Sequence, residues 1–336
     1  YACVGQGYPE QLKPRMVAML ASAWVIPGLI GPALAGIISD FFGWRWVFLG
    51  LVFILPLGIG LVFPALRKLT LLKRKREIRI YDVRRLLATA GLVIGAGLTL
   101  TGLQVQSIPL ALALLVFGLA IGIPSLRYVL PAGTLRVKAG LPAAIATMGL
   151  LSIAFFGGEA FLPLTLISIR GQNTIIAGIA LTAATLCWTA GSWLQAHFAP
   201  KRGRRTLVLS GLFIITIAIA GIAIVLIPAI PAQIAIIAWG IGGLGMGLAY
   251  STISLVVLET APKDQVGSAS ASMELSSVLG TALGTGLGGV IIAFATSTGH
   301  SQSWGIAIID AVVMAFIGLS CLAALRLPGK PSQNVG

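Results

Sequence analysis

Charge is scarce in this chain, and acid is scarcer than base. Only 10% of the 336 residues are Asp, Glu, Lys or Arg, where a soluble domain carries about a quarter. Too few charged groups remain to cover a water-facing surface, which argues against a soluble globular fold. Histidine is almost absent: His197 and His300 alone cannot build a His-rich metal site. The three cysteines, Cys3, Cys187 and Cys321, are odd in number and far apart, so neither a disulfide framework nor a thiolate metal set is expected. Nine acids stand against 23 bases, for a net charge of +14. In a soluble protein that balance would point to nucleic acid. Here the basic residues are sorted by position along the chain, so no nucleic-acid partner is expected. No nucleotide motif is present either. The G-x-G spacings around Gly243-Leu244-Gly245-Met246-Gly247 follow no strand and read as close helix packing, so ATP drive, cofactor and metal are not expected.

What the chain does have is apolar length. Crossing a hydrocarbon core of about 30 Å takes roughly 20 apolar residues as a helix. Ten segments qualify, at about 16–39, 46–66, 86–104, 108–126, 142–169, 173–196, 206–227, 232–257, 268–295 and 304–325. They do not alternate in polarity as barrel strands do, and in lipid a helix satisfies its own backbone. An all-α polytopic membrane bundle is therefore expected. Of the 23 Lys and Arg, 21 fall in every second connection, and the intervening loops hold only Arg45 and Arg170. Positive charge stays on the cytoplasmic side during insertion. This sorting puts both ends of the chain in the cytoplasm of a multi-pass plasma-membrane protein. The stretch 67–85 carries nine of the bases and reads as a cytoplasmic linker lying along the inner membrane surface, against anionic headgroups. The chain opens at Tyr1 without an initiator Met, and its first residues read as the tail of an earlier helix, so it is expected to be part of a longer protein.

Acids inside a bilayer are functional candidates, because an ionised group there costs a few kcal/mol or more. Glu10, Glu77, Asp82, Glu259 and Asp264 fall in or beside inner loops and Asp40 at an outer end, all read as solvated or interfacial. Glu159, Glu274 and Asp310 remain. Glu159 lies roughly 25 Å along its span at about 1.5 Å per residue, past the midpoint. Gly157 and Gly158 before it and Pro163 after it weaken the helix there, and interrupted helices at membrane depth often line binding sites. A carboxylate in that place can carry a proton across or neutralise a cation; the plainer alternative is a neutral Glu bonded to a neighbouring helix. Glu274 lies only about 10 Å in from the inner end and is a candidate for gating or coupling. Asp310 is expected close enough to the outer end for water to reach it. Trp24, Trp188, Trp193, Trp239, Phe155 and Phe156 sit within spans. Those facing a cavity can hold lipophilic cations by cation–π contact, with Trp24 favoured; lipid-facing packing is the alternative for each.

Segments 9–39 and 262–292 repeat one layout at an offset of 253, with Ala18 matching Ala271, Gly31 matching Gly284 and Gly36 matching Gly289. Such repeats mark transporters built from similar halves. The run Gly31-Pro32-Ala33-Leu34-Ala35-Gly36 resembles the antiporter motif of the major facilitator superfamily, G-x-x-x-G-P-x-x-G-G, with Pro27 at its first Gly and Ala35 at its penultimate one. Gly43-Trp44-Arg45-Trp46-Val47-Phe48 is similar to the W-R-W-x-F start of that family's sixth helix. Lys201-Arg202-Gly203-Arg204-Arg205 resembles the basic end of its loop motif, G-x-x-x-D-R-x-G-R-R, with Pro200 at the Asp and Ala196 at the leading Gly, so the loop's own acidic partner is missing. The order of these motifs, with two spans left over between them and Asp82 at the start of the first, resembles the fourteen-helix drug:proton antiporter branch.

That resemblance implies an organisation. Residues 1–66 would hold the last two helices of a first bundle and 67–85 the basic linker. Residues 86–140 would form a two-helix insert and its loop, 141–327 a complete six-helix second bundle, and 328–336 a cytoplasmic tail, with four helices preceding Tyr1. It also implies a monomeric secondary transporter that exports small lipophilic or cationic compounds against protons by alternating access. In that scheme Glu159, Glu274 and Trp24 line the proton and substrate pathway. Pro27, Gly31, Pro32 and Gly36 pack the domain interface, and Arg204 and Arg205 contact the inner gate. A uniporter or symporter of the same fold, a membrane enzyme and a receptor are the alternatives; an enzyme would need clustered His, Asp or Ser, and the three deep acids lie on separate spans.

Overall fold

The computed structural model describes residues 1–9, 11–23, 25, 27–28, 38, 41–71, 80–105, 107–262 and 265–329. Their regular structure is helical throughout. In chain order the helices are α1 (Ala2–Gly7), α2 (Lys13–Ser22), α3 (Trp44–Leu71), α4 (Ile80–Gly102), α5 (Ile108–Val129), α6 (Leu141–Glu159), α7 (Thr174–Phe198), α8 (Arg204–Val225), α9 (Ile234–Thr260), α10 (Val266–Ser297) and α11 (Gln302–Ala324). Eight of them, α4 to α11, are long and apolar enough to span a membrane, and α3 carries a shorter apolar stretch, Arg45–Leu61. The first expected span, 16–39, lies largely outside the described residues. The others fall within a few residues of their expected ends.

Helices α6 to α11 form one bundle with α9 at its centre. From Ala238 to Leu258, α9 is buried on nearly every side between α7, α8 and α6. Lipid tails are as apolar as leucine, so burial alone does not hold such helices together; close backbone approach does. The sequence supplies it with glycine at the crossings. A Cβ on Gly243 would collide with the Ala184 carbonyl of α7, and one on Gly284 of α10 with the Ile153 carbonyl of α6. The α4–α5 pair is built the same way, with Gly95 against Gly118 and Gly122. It docks on α10 through Arg85, which donates to the Ser268 carbonyl at 3.2 Å and the Ser272 hydroxyl at 2.9 Å.

The helices before α3 meet the bundle at the end that carries the basic loops. Val4 and Val17 bury themselves with Leu258 and Val266, beside Tyr1 and Met16. One turn deeper, the Trp193 indole N–H of α7 donates to the Ser22 hydroxyl of α2 at 2.9 Å.

Helix crossings this tight leave no room for a methyl group. Gly243→Ala is expected to destabilise the purified protein by about 1–3 kcal/mol, despite the better helix propensity of Ala. Earlier loss of monodisperse elution on heating in detergent would register it. Gly289→Ala, whose new methyl would meet nothing within 4 Å, is expected to leave the profile unchanged.

Candidate functional site

Glu159 is the last residue of α6. The chain then turns at Ala160 and Phe161, makes one helical turn at Leu162–Leu164 and passes into a π-helical turn, Thr165–Ile169. Pro163 lacks the N–H that would continue the ladder, and Gly157 and Gly158 precede the carboxylate, so the interruption falls where the sequence weakens the helix. The wider π turn brings Arg170 over the far end of the bundle. There its guanidinium donates to the Ile227 carbonyl at 2.8 Å and the Ile230 carbonyl at 2.6 Å, tying down the loop between α8 and α9.

From Glu159 a column of aromatic rings runs through the bundle. The Trp239 indole N–H donates to Glu159 Oε1 at 3.4 Å. Trp239 stacks on Phe155 with centroids 5.0 Å apart. Phe155 meets Trp188 edge to face at 5.8 Å, with Phe156 packed on both. Trp188 touches Tyr250 at 5.5 Å, and the Tyr250 hydroxyl donates to Glu274 Oε2 at 3.3 Å. Trp239 and Tyr250 both sit on α9, separated by roughly 16 Å along its axis. One helix therefore offers a donor to each of two carboxylates at two depths. Around the Glu274 end the polar groups continue: Ser152 of α6 lies 2.9 Å from Ser277 of α10, and the Ser254 hydroxyl donates to the Tyr250 carbonyl at 2.8 Å. The column thus joins Glu159 and Glu274 through rings whose faces attract cations.

The basic loop motif makes its bonds to the described residues within the six-helix bundle. Lys201 and Arg202 are exposed, and Gly203 caps α8. Arg204 is only 5% exposed and makes a two-point pair with Glu259, Nε to Oε2 at 3.1 Å and Nη2 to Oε1 at 2.7 Å. Arg205 donates to the Leu327 carbonyl at 3.0 Å. The loop's missing acid is thus supplied by the end of α9, which returns to the same membrane face beside the start of α8. Glu259, read as solvated or interfacial, sits at the end of α9 as a largely enclosed ion-pair partner. Arg204 and Arg205 clamp the six-helix bundle to itself and make these bonds within it, not across to the earlier helices. Asp310, expected within reach of water, is also enclosed, at 8% exposed.

Of the antiporter-motif positions, Pro27 is helical and exposed, while Gly31, Pro32 and Gly36 lie outside the described residues, as does Trp24. Trp193, weighed for a cavity role, bonds Ser22 instead. His197 packs edge-on against Phe198 and His300 stacks on Trp304. Cys187 and Cys321 are free thiols. Among the described residues no group of three or more His, Cys, Asp or Glu is placed to hold a metal ion. Sequence reasoning passed over Tyr250, whose signal was an aromatic interrupting the small residues of α9.

Comparison with known proteins agrees with this architecture. The model of the Major Facilitator Superfamily matches residues 1–271. The chain is 27% identical over 342 positions to the Uncharacterized transporter YebQ of Escherichia coli strain K12, covering 97% of this chain and 71% of that protein. It is 22% identical over 308 positions to the Multidrug resistance protein Stp of Mycobacterium tuberculosis, covering 88% and 56%. It is 24% identical over 293 positions to the Methylenomycin A resistance protein of Bacillus subtilis, covering 84% and 61%. The chain thus spans between 56% and 71% of the length of these relatives.

Removing one member of the Arg204–Glu259 pair strands a buried charge. Glu259→Gln is expected to destabilise the protein by about 3–5 kcal/mol, whereas replacing both residues by Met loses far less. Thermal unfolding of the detergent-purified variants compares the two.

Proposed function

The chain belongs to the Major Facilitator Superfamily, and we propose that it exports small lipophilic or cationic compounds in exchange for protons, by alternating access. Transport, not catalysis, is the work of this family, and the apolar helices make the chain a multi-pass membrane protein. We place it in the plasma membrane as a monomer, with the basic loops cytoplasmic. Residues 1–66 close a first bundle, 67–85 link it to a two-helix insert at 86–140, 141–327 form the second bundle, and 328–336 the tail.

The observation that carries the proposal is the aromatic column between two membrane-depth carboxylates. In a second arrangement that opened the bundle beside the half-buried Phe156 and Trp188, a lipophilic cation would meet the column twice over, by apolar contact and by attraction to ring faces. The Glu159 carboxylate accepts one occupant at a time. A proton neutralises it and a bound cation neutralises it, so each leaves before the other enters. Exclusion of this kind, coupled to two bundle arrangements that bind the occupants differently, is sufficient for exchange. The printed names of two relatives, a multidrug and a methylenomycin resistance protein, support an efflux role. A uniporter or symporter of the same fold for a metabolite is the alternative.

Ethidium efflux from cells expressing the gene that encodes this chain tests the reading. Collapse of the proton gradient is expected to stop efflux. Glu159→Gln is expected to lower it at least tenfold, and undiminished proton-coupled efflux in that variant removes Glu159 from the mechanism. Trp239→Phe keeps the ring and deletes the donor, with a loss of roughly 2- to 10-fold. Accumulation that ignores the gradient favours the uniporter.

A further inference from the structure

The loop between α5 and α6 meets the end of α11 in a short, tightly bonded turn. One 3₁₀ turn, Thr134–Arg136, is flanked by left-handed Gly133 and Val137. The Val137 N–H donates to the Thr134 carbonyl at 2.9 Å, and the Lys138 N–H to the Gly133 carbonyl at 3.1 Å. Arg326, just past α11, reaches this turn. Its Nη1 donates to the Arg136 carbonyl at 3.0 Å and to the Val137 carbonyl at 2.8 Å. Its own carbonyl accepts from the Gly140 N–H at 3.3 Å. The Lys138 methylenes cover Gly133, the nearest 2.7 Å from where a Cβ would stand. Three cations, Arg136, Lys138 and Arg326, are thus gathered around one fixed turn, and all three are exposed.

The chain segments that supply these cations supply no acid. No Asp or Glu lies between Asp82 and Glu159, or after Asp310. Glu259, at the same end of the bundle, is taken by Arg204. Beside the cations runs an apolar edge. Leu135, within the turn, is 53% exposed. Helix α11 packs on α6, α8, α10 and the π turn, and its other side exposes Leu319 at 49%, Leu322 at 62% and Leu325 at 48%. On a membrane-spanning helix that side meets lipid, and it runs down to Arg326, one turn beyond Leu322. Charge sorting during insertion asks only for cations somewhere in this loop. It does not ask for a leucine exposed among them, or for guanidinium bonds that fix the backbone around them. Cations at the foot of a lipid-facing stripe stand at the level of the headgroup phosphates.

We propose that this junction is a docking site for an anionic phospholipid of the adjoining leaflet: Arg136, Lys138 and Arg326 hold its phosphodiester, and Leu135 lies among its upper methylenes. Charge-assisted bonds to phosphate oxygens are of the stronger kind. The bound lipid bridges the turn that leads into α6 and the end of α11, the first and last helices of the six-helix bundle. The inference needs only that the chain spans a membrane, so it stands or falls apart from the exchange reading.

The test titrates the purified full-length protein in detergent with dioleoyl phosphatidylglycerol or dioleoyl phosphatidylcholine and counts bound lipid by native mass spectrometry. Phosphatidylglycerol is expected to bind the more tightly. Arg136→Gln with Lys138→Gln is expected to weaken it roughly 30-fold, about fivefold for each cation at the strength typical of a basic residue near an anionic surface, and to leave phosphatidylcholine binding unchanged. Lys201→Gln with Arg202→Gln removes two exposed cations from the next basic loop and serves as control, with little change expected. An equal loss in that control makes the binding a diffuse charge effect and overturns the site. A wild type that holds both lipids alike overturns it too, whether or not the variants fold. Leu135→Ser is expected to weaken phosphatidylglycerol binding severalfold. An unchanged affinity in that variant, or displacement of the lipid by inorganic phosphate, makes the occupant a free anion and overturns the lipid.

Discussion

Lipid supplies no hydrogen bonds, and nearly every specific contact in this chain answers that constraint. The backbone answers it by becoming helical almost everywhere it is described. Where the helix fails, at Glu159 and Pro163, the chain passes through a short turn and a wider π turn while still inside the protein. Polar side chains answer it by finding one another: Arg204 with Glu259, Ser152 with Ser277, Trp239 with Glu159. Arg170 answers it for a loop, taking carbonyls that a helix end leaves without donors. Against that background Asp310 stands apart, because its Oδ2 has no hydrogen-bond partner among the described residues.

The same solvent removes the hydrophobic effect as a force between helices, so shape and small residues replace it. That is why α9 can be both the most enclosed helix and one of the richest in glycine. Its glycines let α7 and α8 approach at backbone distance, and the space saved admits Trp239 and Tyr250 on the same helix. Tight crossings and large rings are therefore complementary parts of one design. Glycine fixes the helix axes, and the rings fill the face that α6 and α7 leave between them.

Depth was readable from the residues alone and direction was not. Counting about 1.5 Å per residue put Glu159 past the middle of its span. The flanking Gly157, Gly158 and Pro163 marked the interruption that the structure has. Apolar length and basic flanks gave the helix ends to within a few residues. The partner of Glu259 was not legible, because Arg204 is 55 residues away in sequence and becomes a neighbour only when α8 and α9 pack antiparallel. Asp310 was misjudged for a related reason. Its height along α11 was clear, but whether it faced water or α6 depends on the rotation of the helix, which a sequence without periodic polarity does not record. Tyr250 went unnoticed because an aromatic within an apolar run looks the same whether it meets lipid or a carboxylate.

The distribution of strong and weak contacts also bears on how such a molecule would move. Within the six-helix bundle, helix ends are bound by a two-point Arg–carboxylate pair and by guanidinium groups on carbonyls, charge-assisted bonds roughly twice as strong as neutral ones. The contact with α1 and α2 includes a small apolar patch of Val4, Val17, Leu258 and Val266 and a neutral indole–hydroxyl bond. Such a bond contributes about 0.5–1.5 kcal/mol. Contacts of that size can be exchanged for others in a second arrangement with little net change, which is what a population-shift mechanism requires. In the proposed cycle the bundle therefore moves as a unit, carrying Glu159, Asp310 and the aromatic column with it, and the seal at the basic end is the part that yields. Placing Glu159 and the aromatic column on the rigid side keeps their spacing constant while access to them alternates.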